Sequence, residues 1–293
     1  MPRVLVTGAA GFSGRTVARH LVAAGCEVIA HRRSTPLPDD LAASPAVTDW
    51  PGDLAELGAL PAGLDAVVHA AATSTPTGRA DAVPAEVLIR DNALASARLV
   101  AAARQAGVER FVYLSSLSVY GSVRERSLDA GTPIRDPDPY GVSKLMGESV
   151  LAASGIPGLA IRLPAVIGPG ADRNWPVQVV GRIRRGETVR VYNADAPFNN
   201  VVHVDDLAGW VTALLVAAEP LPRFTAVPVA SRAPIPVRAA VATIAAGLGL
   251  DAHLEEVVAP RGSFTIDTVA AEGLGFRPSD TVQALDRYAR SPD

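Results

Sequence analysis

A doubly wound α/β fold with a parallel sheet is predicted by three observations. An apolar β-type run, Val4 to Val6, stops at Thr7 and Gly8, and a helical pattern of Arg15, Val17, Ala18 and Leu21 begins directly after Gly14. Ala66-Val67-Val68-His69-Ala70-Ala71 is apolar throughout apart from its histidine, as a strand is when helices cover both faces of its sheet. Short apolar runs then alternate with helical segments, the pattern of βαβ units joined by right-handed crossovers.

The chain has 293 residues, 48% hydrophobic and 19% charged, enough for one large domain or a main domain with a smaller lobe. A net charge of −3 gives no footing to nucleic acid or an anionic membrane as partner. The single cysteine, Cys26, has apolar neighbours and reads as a core residue. No Cys/His metal set is visible. The sequence enters a strand at once and contains no apolar run approaching the length of a membrane span, so the expected compartment is the cytoplasm. All but one of the 27 basic residues are arginine, and the exception is Lys144.

In the first turn, Gly8, Gly11 and Gly14 are spaced by three, with Ala10, Phe12 and Ser13 between them. A strand that turns on glycines into a helix offers backbone N–H groups and a positive dipole end to a phosphate. Glu27 to Arg32 reads as the second strand. In a dinucleotide-binding sheet its end meets the adenosine ribose, where a carboxylate accepts from the 2′-hydroxyl of NAD and arginine suits the 2′-phosphate of NADP. No Asp or Glu lies between residues 28 and 38, and Arg32 and Arg33 stand in that place. NADP is therefore favoured, with NAD as the alternative.

Residues 36 to 45 form a Pro-rich polar loop, Val47 to Asp49 a third strand, and a short helix begins at Asp53-Leu54. His69, alone on an apolar strand, reads as a packed histidine. The small residues Ala70, Ala71 and Ala72 let a cofactor lie close to the strand end. A loop opening at Thr73 leads to a helix from about Pro84 to Ala106, capped by Gly107. The strand Phe111 to Leu114 follows, with Ser115, Ser116 and Ser118 at its carboxyl end, where open α/β sheets bind ligands.

Tyr140 opens the next helix, and Lys144, four residues on, shares its face. A phenol titrates near ~10, too high for easy proton exchange at neutral pH, and a nearby ammonium lowers that value. A randomly placed lysine would fall four residues after one of the five tyrosines in about five placements out of 293. Chance is a poor account of its position.

These motifs resemble the extended short-chain dehydrogenase/reductase family, the NAD(P)-dependent epimerase/dehydratase group. The likeness runs through Thr7–Gly14, Asp53-Leu54, His69–Ala72, Leu114–Gly121 and Tyr140–Lys144, then Arg162–Gly170 and Val202–Ala208. It implies a Rossmann-type domain over 1–163, to which 201–218 returns, and a small discontinuous substrate lobe from 164–200 and 219–293. It implies Tyr140 as catalytic acid/base, Lys144 as its electrostatic partner and ribose ligand, and Ser116 as the hydroxyl that holds the substrate oxygen, with Ser115 second. Asp53 and Leu54 would meet the adenine and Ala71 the phosphates or ribose. A homodimer through the helices near 84–106 and 140–154 is also implied.

Members acting on nucleotide sugars commonly carry an arginine just before the His-Val-Asp-Asp block. Here Phe198-Asn199-Asn200-Val201 has none, although Arg261 matches a second family arginine. Thr73, Ser116, Asn174 and Arg261 are the substrate candidates, and Trp175 beside Asn174 is a further one for the pocket wall. Dehydration is disfavoured, because Leu117 and Ser118 follow the serine where dehydratases carry acids. The reading is a nucleotide-sugar oxidoreductase or epimerase. An NADPH-dependent reductase of a smaller carbonyl compound is the alternative, and a non-catalytic dinucleotide sensor is disfavoured by the intact Ser116, Tyr140 and Lys144.

Overall fold

In a computed structural model, which describes residues 1–75, 82–259 and 262–291, five strands open the chain: β1 (Arg3–Thr7), β2 (Glu27–Arg32), β3 (Val47–Pro51), β4 (Ala66–His69) and β5 (Arg110–Ser116). With Gly158–Leu163 and Thr225–Pro228 they form one seven-stranded sheet. Its order is Thr225–Pro228, Gly158–Leu163, β5, β4, β1, β2, β3, and every pairing is parallel. The chain winds outward from β1 to β3, then crosses back to β4 and winds the other way. The reversal lies between β1 and β4, and in such sheets the crevice beyond that switch point is where ligands bind.

Alternation along the strands builds two apolar layers. Val4, Val6, Val28, Ala30, Val112 and Leu114 face helix α1 (Phe12–Ala23) and the helix Val204–Val216, which contribute Val17, Leu21, Leu207 and Val211. Leu5, Ile29, Val67 and Phe111 face the opposite way, against Leu99 and Val100 of the helix Ala95–Gln105 and Leu151 of the helix Pro139–Ser154. Cys26 is fully buried in the first layer, as its neighbours predict. A third apolar cluster lies apart from the sheet. It draws Ile167, Val179 and Ile183 from one stretch and Val241, Ile244 and Leu285 from another.

Three details differ from the sequence expectation. Thr225–Pro228, expected within the lobe, is an edge strand of the main sheet, because Val227 is apolar toward one layer and Ala226 toward the other. The polar loop 36–45 contains a short helix, Asp39–Ala42. The long helix near 84–106 is interrupted by a π turn at Ile89–Leu94, a feature that a 3.6-residue apolar period does not reveal. Among the described residues no helix is long and apolar enough to cross a membrane.

One hydroxyl ties the switch point together. Thr7 and His69 are paired in register at the ends of β1 and β4. The Thr7 hydroxyl accepts from the N–H groups of Ala70 and Ala71, both at 3.1 Å. Its own proton is thus left for His69 Nδ1, 2.7 Å away, and the other ring nitrogen carries the hydrogen donated to Ser96 Oγ at 2.9 Å. His69 is therefore packed, satisfied and neutral, with burial pushing its pKa far down. Thr7→Val keeps the shape and removes all three bonds. It should cost about 1–3 kcal/mol of stability and weaken dinucleotide binding. Urea unfolding checks the first effect and a cofactor titration the second; a variant unchanged in both would show that this knot does not order the site.

Candidate active site

Gly8 follows the knot with φ +68°, a left-handed conformation, and a Cβ there would sit 2.8 Å from the Cα of Ala71. A Cβ on Gly14 would lie 2.2 Å from the Gly8 carbonyl oxygen. Glycine is thus required twice, once for the turn and once to let α1 start against it. Gly11 is the N-cap of α1, and no side chain caps this end. The first turn, with Phe12, Ser13 and Gly14, opens on a cleft of about 850 Å³, open to solvent. Gly8, Ala10, Gly11, Arg32, Arg33, Asp53, Leu54, Ala70, Ala71, Ala72 and Thr73 all line it.

At one end of the cleft, charges are paired across elements. Arg32 is bonded to both oxygens of Asp49 on β3, at 2.8–3.1 Å. Arg33 reaches Asp91 of the π turn at 2.9 Å. Asp91 also accepts from the Thr73 hydroxyl at 2.7 Å and from Arg90 at 2.9 Å. Asp53 caps Ala55 and accepts from Arg90 at 2.6 Å, and the Arg90 guanidinium holds its carboxyl below the usual range. The carboxylates missing from the end of β2 are therefore supplied by β3 and the π turn. His31, buried, lines the same end and bonds Gly52 O at 3.1 Å.

Ser116, Tyr140 and Lys144 are not among the residues that line this cleft; they lie on and beside β5, the strand paired with β4. Pleat alternation separates the two serines of β5. Ser115 is buried and donates to Glu148 Oε1 at 2.6 Å. Ser116, the last residue of the strand, lies close enough to the Tyr140 phenol to lower its pKa, and its hydroxyl accepts from the Ser118 N–H at 3.1 Å. Tyr140 lies in the first turn of the helix Pro139–Ser154, whose N-cap Asp138 accepts from the Gly141 N–H at 2.7 Å. Burial raises the Tyr140 pKa above its ordinary value, while Ser116 and the Arg173 guanidinium act to lower it.

Lys144, one turn on, is 2% exposed, with Nζ 4.3 Å from the centre of the Tyr113 ring. Burial pushes its ammonium down to about 7, and Glu148, a further turn along, acts the other way. Glu148 is itself held by Arg162 in a buried pair at 2.7 and 3.0 Å. The cation that lowers the phenol's pKa in this structure is thus Arg173, on the loop before the helix Trp175–Arg184.

Of the substrate candidates, Thr73 and Ser116 lie at the cleft and beside Tyr140 respectively. The side chain of Asn174 is committed elsewhere. It donates to Val166 O at 2.8 Å and accepts from the Val177 N–H at 3.2 Å as N-cap of the helix Trp175–Arg184. Trp175 packs edge-on against Phe198, 5.2 Å between ring centres. Arg261 lies outside the described residues.

Two residues that the sequence did not single out shape the site. Asn92, buried in the π turn, holds Thr73 N and O at 2.8 Å each and donates to Ser143 Oγ at 2.9 Å, joining the cleft wall to the tyrosine helix. Arg173 is the other. The spacing of Asn92 within a π turn carried no signal, since such turns, though frequent at functional sites, leave no pattern in the sequence. Arg173 was one arginine among many.

Residues 4–227 match the NAD dependent epimerase/dehydratase family. The chain belongs to that family. It is 30% identical over 222 residues to a dTDP-glucose 4,6-dehydratase of Streptomyces griseus, covering 69% of this chain and 66% of that enzyme. The match thus spans about two thirds of that relative's length. A dTDP-6-deoxy-L-talose 4-dehydrogenase (NAD(P)(+)) of Kitasatospora kifunensis is 28% identical over 97% of this chain and 93% of its own. Among solved structures, MoeE5 in complex with UDP-glucuronic acid and NAD superposes with a TM-score of 0.81 at 28% identity, covering 98% and 97% of the two chains.

The cofactor of this epimerase/dehydratase family fits the cleft on structural grounds. The Gly8 turn is a cradle that a Cβ would fill, and the uncapped start of α1 offers N–H donors to a pyrophosphate. The buried lysine gives a separate test. Unfolded, Lys144 titrates near ~10.4, so from about pH 7 upward the unfolded chain binds a proton that the folded chain sheds. Stability therefore rises with pH across that window, and the cost of burying the charge is complete below it. Lys144→Met should raise stability most at acidic pH, by a few kcal/mol at most, on the order of the shift. The gain should shrink toward pH ~10. Thermal melts across that range check it, and a variant less stable than the parent at pH ~6 would contradict the assignment of a costly buried charge.

Proposed function

We propose that the chain is an NAD(P)-dependent oxidoreductase of the epimerase/dehydratase family that moves a hydride at a hydroxyl- or carbonyl-bearing carbon of a nucleotide-sugar or related sugar-like substrate. Tyr140 is its acid/base, with Ser116 and Lys144 beside it. The observation that carries this reading is the placement of Ser116 near the Tyr140 phenol at the carboxyl end of β5, the strand paired with β4, whose following residues line the cleft. When bound, the nicotinamide supplies or accepts the hydride. Ser116 and Tyr140 hold the substrate oxygen between them. In the reducing direction the phenol gives its proton to the carbonyl oxygen as that oxygen becomes an alkoxide, and in the oxidising direction it takes the hydroxyl proton. With burial raising its pKa, Tyr140 is protonated at neutral pH and poised as the acid. Lys144, on the same helix face, lowers the cost of the phenolate when it carries its charge.

The relatives named above bear on the substrate: two carry dTDP-activated sugars in their names and the third is bound to UDP-glucuronic acid. We assign the substrate to the lobe that packs around Ile167, Val179 and Ile244. The smaller-carbonyl alternative draws on one observation. Asn199, in the stretch that lacks the family arginine, is buried and spends its side chain on the backbone of Ser231 and Ile266, so it offers nothing to a diphosphate.

For the coenzyme we favour NADP. Arg32 and Arg33 line the cleft at the end of β2, and their partners are exchangeable. Partly exposed ion pairs are worth about 0–1 kcal/mol, and Asp91 keeps Thr73 and Arg90 if Arg33 turns to a 2′-phosphate. Titrating wild type and Tyr140→Phe with NADPH and NADH tests both halves of the proposal. The variant should bind cofactor as the parent does and lose turnover by roughly 10²–10⁴-fold, and both proteins should bind NADPH more tightly. An active Tyr140→Phe removes the mechanism; tighter NADH removes the cofactor preference.

A further inference from the structure

Arg173 lies on the loop between the strand Ala165–Ile167, which pairs with Val201–His203, and the helix Trp175–Arg184. This loop is fixed at both ends. Arg15, from the first turn of α1, reaches the carbonyls of Pro169 and Gly170 at 3.5 and 3.4 Å. Asn174 is held at φ +107° by its bonds to Val166 and Val177. A non-glycine residue in that region of backbone space is strained, and it persists only where its surroundings over-determine it. Between the two anchors the Arg173 guanidinium reaches the loop after β4, where Nη1 donates to Ser74 Oγ, one residue past the cleft-lining Thr73. Its remaining fork, Nε and Nη2, is filled by the two oxygens of Asp172, both at 2.9 Å.

That last pairing is the informative one. A planar guanidinium presents two parallel donors shaped for a carboxylate or phosphate, and here a carboxylate occupies them. The Asp172 and Arg173 side chains are 64% and 55% exposed, and pairs of that kind contribute little. Asp172 is therefore an exchangeable occupant, not a structural partner. Ser74 follows β4, the strand paired with β5, which ends at Ser116, and this places the fork on the side of the sheet where Arg173 and Tyr140 shift each other's ionisation. The stretch Phe198–Asn200 brings no cation to the cleft, as shown above.

We propose that Arg173 is a specificity-determining residue, whose fork releases Asp172 and takes an anionic oxygen group of the substrate held beside Tyr140. This deepens the function proposed above and rests on it. The shared chemistry is a carboxylate or a phosphate: a carboxylate on the reacting sugar or the diphosphate that activates it.

Equilibrium binding to the cofactor-loaded protein distinguishes the two. UDP-glucuronic acid, UDP-glucose and UDP are titrated calorimetrically into wild type, Arg173→Gln and Arg173→Lys. The side chain is exposed, so both variants should keep the parent's thermal midpoint and cofactor affinity. A loss of about tenfold or more in Arg173→Gln, confined to UDP-glucuronic acid, places a sugar carboxylate at the fork. An equal loss for all three ligands places the diphosphate there. Arg173→Lys should fall between, because it keeps the charge and loses the fork. Unchanged affinities in Arg173→Gln overturn the proposal while leaving the nucleotide-sugar reading intact. If wild type binds none of the three, that reading falls and the proposal falls with it.

Discussion

The hydroxyl of Thr7 has one proton and two lone pairs, and all three are used within the space between two strand ends. It accepts from Ala70 and Ala71 and gives its proton to His69. The rest of the site depends on this arrangement. It draws the end of β4 so close to the first turn that residue 8 has no room for a side chain. That turn in turn aims the uncapped start of α1 at the cleft. Through Ser96, His69 carries the same bond chain to the helix Ala95–Gln105, directly after the π turn in which Asn92 fixes the cleft wall to the tyrosine helix. Two neutral networks, Thr7–His69–Ser96 and Thr73–Asn92–Ser143, therefore fix the glycine turn and the tyrosine helix about the end of β4.

Charge is used in opposite ways on the rims of the cleft and beneath it. On the rims, Arg32 and Arg173 are paired with carboxylates at partly exposed positions, where water keeps the pairs weak, while the exposed Arg33 meets a largely buried Asp91. Beneath, Lys144 and the Arg162–Glu148 pair are out of water, where an unpaired charge is costly and a broken pair more so. Those groups are fixed in place by the network around them. Binding requires partners that can be exchanged, and proton transfer requires ones that cannot move.

Much of this was legible in the sequence because it rests on local rules. The glycine turn, the alternation of strands and helices, the lone lysine four residues after a tyrosine and the packed histidine each follow from spacing or from an apolar neighbourhood. What was not legible arises from tertiary contact. The carboxylates facing Arg32 and Arg33 come from Asp49 and Asp91, 17 and 58 residues away in the chain, so the absence of an acid between residues 28 and 38 misstates the charge at that end of the cleft. Asn174 looked like a pocket residue by position and proved to be a helix cap, because its backbone conformation commits both its polar atoms. Thr225–Pro228 joins the sheet through neighbours that only the folded chain supplies. Arg173 gave no signal in so arginine-rich a chain, and its place beside Ser74 is set by a loop anchored from α1.

The central claim is that hydride passes directly between the substrate carbon and the nicotinamide at the Tyr140 site. It is tested most directly by a nucleotide-sugar substrate carrying deuterium on the reacting hydroxyl-bearing carbon, incubated with the protein and oxidised cofactor and quenched during turnover. The account predicts that the deuterium is recovered on the reduced nicotinamide or returned to the product carbon, without exchange into water. Product formed with its deuterium lost to solvent would contradict it, because the carbon would then have been deprotonated instead of oxidised.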